Sequence, residues 1–308
     1  MSKNEVLVID IGGTKTNVSF VYTDELGIGK IKITDSVIFK THSNPEHAIQ
    51  KISAICSEHS KSKSKSKGKS EKFSCVSLSL PGRWNENGVL KESFFLHDWL
   101  EYPFVRNLAN ELKIKNYIWE TDVICGALGE YHFVGNLPHT TDLLYINLGT
   151  GVGAAFIKDG KPFKSDSGLT LRMQKLVLPS QEELYSGVDL ISGGTLLQIS
   201  KYDSIQALYE AYKSGVIKAI DLIAKAQTQL ASWIINLFYL FAPDLIVLNG
   251  GLTYDWEVLC EEAIEIANEE LNNQVEILPS KLKDMAPIYG AYVNFMRHCE
   301  AQGSETIC

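Results

Sequence analysis

Apolar residues come first in short runs, each closed by glycine, proline or a polar turn, and later at helical spacing. Residues 6–9 form one such run, ended by Asp10 and a glycine pair, and residues 17–22 form a second. Turn chemistry at 23–27 separates these from a third predicted strand over 30–40. Over 45–59, Ala48, Ile49, Ile52 and Ile55 recur at helical spacing. The same reading predicts strands over 73–80, 116–119, 143–147, 153–157 and 245–248, and helices over 103–112, 122–133, 215–241 and 287–299. A strand-rich start, a crossover and a second strand-and-helix set therefore follow in order. This predicts a repeated α/β architecture, with a first boundary near Asp122 and a last helix able to pack back on the first domain.

Composition changes this picture little. A chain of 308 residues suits two domains of ordinary size, and 45% hydrophobic with 21% charged residues is normal for a soluble globular protein. A net charge of -8 argues against nonspecific nucleic-acid binding. The start runs directly into a strand without a signal-peptide pattern, and the apolar stretch 230–243 is shorter than a membrane span and reads as a buried helix. The expectation is a cytoplasmic protein with no membrane partner. Residues 60–72 carry six lysines against one glutamate. They read as a flexible, solvated loop, with an anion-binding patch as the competing reading. Six cysteines without a C-x-x-C pair read as reduced thiols.

Three glycine-rich turns carry candidate chemistry. In Asp10-Ile11-Gly12-Gly13-Thr14-Lys15-Thr16, glycines let backbone N–H groups approach phosphate oxygens. Thr14 and Thr16 would add hydroxyl donors, Lys15 a charge, and Asp10 a carboxylate for the hydration shell of Mg²⁺. The competing reading is a hairpin turn chosen for geometry. Gly149-Thr150-Gly151 follows a strand, as a dinucleotide fingerprint would, but the chain continues into a second strand and a turn at Asp159-Gly160. That is a hairpin, and two such hairpins suit a clamped phosphate chain. Gly250-Gly251, after the strand 245–248, would leave room for a flat base and ribose.

The string DIGGTKT at 10–16, with PG at 81–82, TDVICGALGE at 121–130, LGTGVG at 148–153, YSG at 185–187, NGG at 249–251 and IYGAY at 288–292, resembles the ROK family of sugar kinases over nearly the whole chain. The resemblance implies the two-domain actin-like ATPase (ribonuclease H-like) fold with an active-site cleft between the domains. It places a small domain at 1–121, a large one at 122–288, and a C-terminal helix at 289–308 packing back on the small one. It implies ATP and Mg²⁺ as cofactors, a homodimer, and a hexose or hexose derivative as acceptor. Asp122 would be the general base that takes the proton of the attacking hydroxyl. The competing reading makes Asp122 a carboxylate at a helix N-terminus, favourable with the dipole.

Departures from the family pattern cluster at the acceptor. Pro81 and Gly82 match, but Thr121 stands where the family has Asn. Phe95 stands where the family's Asn meets the sugar, Leu169 replaces a sugar-binding Glu, and Arg172 replaces a zinc-ligating His. Glu182 or Glu183 matches a remaining family Glu. The family's cysteine-rich zinc motif is missing, so no structural zinc is expected. The alternative function is a non-catalytic sugar- or nucleotide-binding regulator with a degenerate acceptor pocket. ROK repressors carry a helix-turn-helix ahead of the first strand, and only five residues precede Val6, which disfavours DNA binding. An acyl-phosphate kinase of the same superfamily is the third reading.

Overall fold

The computed structural model describes residues 5–23, 31–67, 73, 75–133, 142–164, 171–179, 184–186 and 191–301. The chain divides into two compact units, one comprising Met1–Phe133 with Met285–Cys308 and the other Val134–Asp284.

The first unit opens with the strands β1 (Glu5–Ile11), β2 (Lys15–Thr23) and β3 (Ile31–Lys40), followed by helix α1 (Pro45–Lys67). It continues through β4 (Cys75–Leu80), the short pair β5 (Arg83–Trp84) and β6 (Leu90–Glu92), helix α2 (Phe104–Leu112), β7 (Asn116–Thr121) and α3 (Asp122–Phe133). Its main sheet has the order β3-β2-β1-β4-β7, antiparallel from β3 to β1 and parallel from β1 to β7.

Successive side chains of a strand point to opposite faces, and β1 is buried on both. Leu7, Ile9 and Ile11 face Ile49 and Ile52 of α1 and Phe104 and Leu108 of α2. Val6 and Val8 face the other way, toward Cys125 of α3 and the last helix. Asp10 continues that second face, which is why a carboxylate arrives at the end of an otherwise apolar run.

The second unit repeats the plan. Strands β8 (Asp142–Leu148), β9 (Val152–Lys158) and β10 (Lys161–Pro162) are followed by a small hairpin of β11 (Val177–Pro179) and β12 (Leu184–Ser186). Helices α4 (Gly193–Ser200), α5 (Ile205–Lys213) and α6 (Ile217–Phe241) precede β13 (Leu245–Asn249), α7 (Trp256–Leu271) and β14 (Glu276–Pro279). Sheet order is β10-β9-β8-β13-β14, again antiparallel then parallel. Leu222, Ile223, Leu230, Trp233 and Ile234 of α6 pack with α7 residues on Leu144, Ile146 and Leu248.

The chain then returns to the first unit as α8 (Ala286–Ala301), which packs on α3 and against β1, β4 and β7. Small residues let α3 and α8 meet backbone to backbone. A Cβ on Gly290 would lie 1.6 Å from the Cys125 carbonyl oxygen, and one on Gly129 would lie 2.3 Å from that of Ala286.

Four sequence expectations change. The division falls after Phe133 and not at 121, because α3 is bound to α8 and the first sheet, and the return comes at Met285 instead of 289. The Lys/Ser segment is helical through Lys67, and lysine is a good helix former. Residues 68–72 lie outside the described residues. The apolar stretch 230–243 is amphipathic and not wholly buried, with Leu230, Trp233 and Leu237 inside and Tyr239 and Leu240 exposed. Helices α4, α5 and α7 were not anticipated. All five described cysteines are free and buried, and among the described residues no helix is long and apolar enough to cross a membrane.

Candidate active site

The C-terminal ends of β1, β4 and β7 lie side by side in the first unit, the edge at which open α/β sheets bind ligands. From β1 the chain enters a tight turn in which the Gly12 amide donates to the Lys15 carbonyl at 2.8 Å. Thr14 and Lys15 are exposed at its tip. A Cβ on Gly13 would sit 2.6 Å from the Cβ and ring of Phe95, so the aromatic side chain rests on the glycine backbone.

Thr41, which sequence reasoning missed, braces this turn. Its amide donates to the Thr14 carbonyl at 2.9 Å and its hydroxyl to the Gly12 carbonyl at 2.8 Å. Thr16 was expected to offer a hydroxyl to phosphate. It is fully buried instead, its Oγ1 2.9 Å from that of Thr41, because alternation along β2 turns it inward. The side chains this turn presents at the surface are therefore those of Thr14 and Lys15.

Asp10, Ser79 and Glu120 occupy one register across β1, β4 and β7. The Ser79 hydroxyl donates to Asp10 Oδ1 at 2.6 Å. One residue past β7, Asp122 opens α3, and its Oδ1 accepts from the Val123 amide at 2.9 Å. Burial pushes the Asp122 carboxyl up from its ordinary 3.8 to about 7, the negative Asp10 adds to this, and two backbone amides oppose it. Burial, with the charges of Glu120, Asp10 and Asp122, likewise pushes the Cys125 thiol well up, opposed by Ser79. The Thr121 hydroxyl is buried without a hydrogen-bond partner.

Pro81 and Gly82 follow β4 directly. The Pro81 carbonyl accepts from Trp84 Nε1 at 2.8 Å. Gly82 has φ 87°, and a Cβ there would meet the Glu92 carbonyl oxygen at 2.3 Å, so its role in shaping this loop is conformational. Ser93 accepts from the amides of Phe95 and Leu96, leaving Phe94 and Phe95 exposed as adjacent rings.

In the second unit, the β8–β9 turn of Gly149, Thr150 and Gly151 closes with a bond from the Gly149 amide to the Gly151 carbonyl at 2.9 Å. The first residues of α4 hold it from behind. The amides of Gly193 and Gly194 donate to the carbonyls of Gly149 and Thr150 at 2.8 and 2.9 Å. Ser192 caps this helix through Thr195. The string Ser192-Gly193-Gly194-Thr195, a cap residue ahead of a glycine pair, was a readable signal that sequence reasoning passed over.

Gly250, at the end of β13 beside β8, has φ 101°, and a Cβ there would meet the Leu148 carbonyl oxygen at 2.3 Å. A Cβ on Gly251 would meet nothing within 4 Å. Gly250→Ala is expected to cost about 1–3 kcal/mol from a left-handed backbone and a clash together, with nucleotide affinity falling alongside. Thermal melts and ADP titration of the variant check this. Arg172 is exposed, one residue ahead of the short 3-10 turn Met173–Lys175. Leu169 and Glu182 lie outside the described residues.

Asp10 offers carboxylate oxygen, and its negative charge adds to burial in raising the second carboxyl, Asp122. This donor chemistry fits a hydrated magnesium ion.

The ROK family model matches residues 6–176 and 190–297. An uncharacterised protein of Clostridium perfringens is 27% identical over 296 residues, spanning 94% of this chain and 96% of that one. The glucokinase of Thermotoga maritima is 23% identical over 323 residues, spanning 94% of this chain and 97% of its own. A ROK family glucokinase from Streptomyces griseus, solved with glucose and AMPPNP, superposes with a TM-score of 0.71 at 19% identity, covering 96% of this chain and all of that one. The fold is thus that of the actin-like ATPases, and with a family match over most of its length the chain belongs to the ROK family.

Proposed function

We propose that the protein is an ATP-dependent sugar kinase that transfers the γ-phosphate of ATP to a hydroxyl of a hexose or hexose derivative. The observation that carries this reading is Asp122, a carboxylate at the start of α3 raised to about 7 by burial and by the nearby Asp10. A base poised near neutrality is suited to accept a proton from an attacking hydroxyl.

Phosphoryl transfer proceeds through a loose transition state, so positioning and charge neutralisation dominate. Asp122 orients the acceptor hydroxyl and takes its proton at a carboxylate oxygen. Backbone amides of the turn beyond Gly12, whose own amide closes the turn, would bind phosphate oxygens with Thr14 and Lys15. In the second unit the Gly149-Thr150-Gly151 turn offers a second set of amides, and Gly250-Gly251 leaves backbone room for the nucleoside. Asp10 would hold magnesium through water, and the ion when bound neutralises charge on the phosphates.

Unsatisfied buried hydroxyls cost about 1–3 kcal/mol, and Thr121, adjacent to the base, is one that an acceptor hydroxyl would satisfy. Phe95 gives the acceptor loop an apolar face where a hydrogen-bonding side chain would favour an ordinary hexose. Gly82, Leu169, Arg172 and Glu182 complete the proposed acceptor set, and a homodimer is the proposed assembly.

A coupled ADP-release assay with Mg-ATP across hexoses, N-acetylhexosamines, deoxy sugars and sugar acids tests the proposal. Turnover is expected on one sugar class. ATP binding with no turnover on any class would instead support a regulator that keeps a nucleotide site.

A further inference from the structure

We infer that Ser79 is a positioning residue for the metal-facing carboxylate, fixing Asp10 so that one of its oxygens is committed to the protein before any cation arrives. This rests on the kinase reading above and concerns a residue that reading does not use.

Ser79 lies on β4, beside Asp10 of β1 in the parallel register, and is fully buried. A hydroxyl in a strand interior loses its water and must find a partner. Ser77, two residues earlier on the same face, gives its hydroxyl to the Ala291 carbonyl of α8 at 2.6 Å, a link within the packing of the unit. Ser79 gives its hydroxyl to Asp10 Oδ1, also at 2.6 Å, the length of a charge-assisted O–H···O⁻ bond. The same pleat thus has one serine tied to a helix backbone and one tied to the carboxylate at the site. Asp10 is the last residue but one of β1, and its side chain lies at the C-terminal edge of the sheet. The Ser79 bond selects one rotamer and one oxygen, as partners of metal-ligating carboxylates do, and losing such partners costs about 10–100-fold in metal affinity.

The test is calorimetric titration of ADP, with and without magnesium, into wild type, Ser79→Ala and Ser79→Cys, with a thermal melt of each. Alanine removes the donor and adds no volume, while cysteine keeps a weak donor at similar size. Wild type is expected to bind ADP more tightly with magnesium. Ser79→Ala should lose about tenfold of that magnesium-dependent gain with metal-free ADP affinity unchanged, and Ser79→Cys should fall between. Both variants keeping the full magnesium gain, even with lower melting temperatures, would overturn the proposal and assign Ser79 to packing alone. Wild type failing to bind ADP at all would overturn the kinase reading and this inference with it.

Discussion

Asp122→Asn is expected to abolish phosphoryl transfer and, at alkaline pH, to make the protein more stable. The amide cannot accept the hydroxyl proton, and loss of a positioned base costs about 10²–10⁴-fold in rate. The expected gain in stability has the same origin as the proposed role of Asp122 as base. The Asp122 carboxyl has a folded-state value of about 7 against an ordinary 3.8, because burial and the negative Asp10 oppose its charge.

A group raised in this way favours the folded state fully below the unfolded value, and that contribution is lost as pH rises through the folded value. At pH 8 the wild type carries an ill-placed charge that asparagine lacks. The gap between 3.8 and about 7 caps the difference at about 4 kcal/mol, and solvent at a partly accessible carboxyl reduces it to about 1–2 kcal/mol. Melts at pH 8 should show the variant a few degrees higher, and melts at pH 5 should show a markedly smaller offset, which closes fully only below the unfolded value of 3.8. A variant with the same offset at both pH values would sink the account. In the wild type, kcat/KM should rise with pH through about 7 as the base ionises.

Gly290→Ala is expected to be the most damaging single methyl in the first unit. The added Cβ would lie 1.6 Å from the Cys125 carbonyl oxygen, and that obstacle is backbone, which no side-chain rotation relieves. Helices α3 and α8 must separate by more than an ångström, pulling Ile288, Tyr292 and Phe295 from the sheet they cover. Overpacking of this kind costs about 3 kcal/mol or more. Denaturant unfolding measures it, with Gly251→Ala as the control, since a Cβ at Gly251 meets nothing within 4 Å. Equal midpoints for the two variants would show that the helix pair is slack. Because Asp122 opens α3, activity should fall with stability in Gly290→Ala.

The parts of the molecule legible in the sequence are those written locally. The Asp10–Thr16 string sits between two apolar runs and could only be a hairpin turn, and the break of pattern at Gly149–Gly151 gave the second hairpin against a dinucleotide reading. The junction of β7 and α3 showed as a switch from strand to helical spacing, which put Asp122 at a helix start. What stayed hidden depends on register between distant segments. Thr16 looked like a phosphate ligand until Thr41, on a segment leaving β3, claimed its hydroxyl. Ser79, a polar residue inside the predicted strand 73–80, drew no reading at all until β4 was laid beside β1. The lysine-rich end of α1 read as a loop because its charge says nothing about backbone conformation.

The grip of Gly193 and Gly194 on the Gly149–Thr150 carbonyls has a consequence for how a ligand meets the second unit. A free glycine turn samples many shapes, and fixing it costs about 1–2 kcal/mol for each residue ordered. Here the loss of freedom is borne during folding, by a helix cap far along the chain. On the proposed reading, a phosphate reaching this turn would find it already held in one shape, and affinity would be set less by the turn's own residues than by the rigidity of the segment behind them.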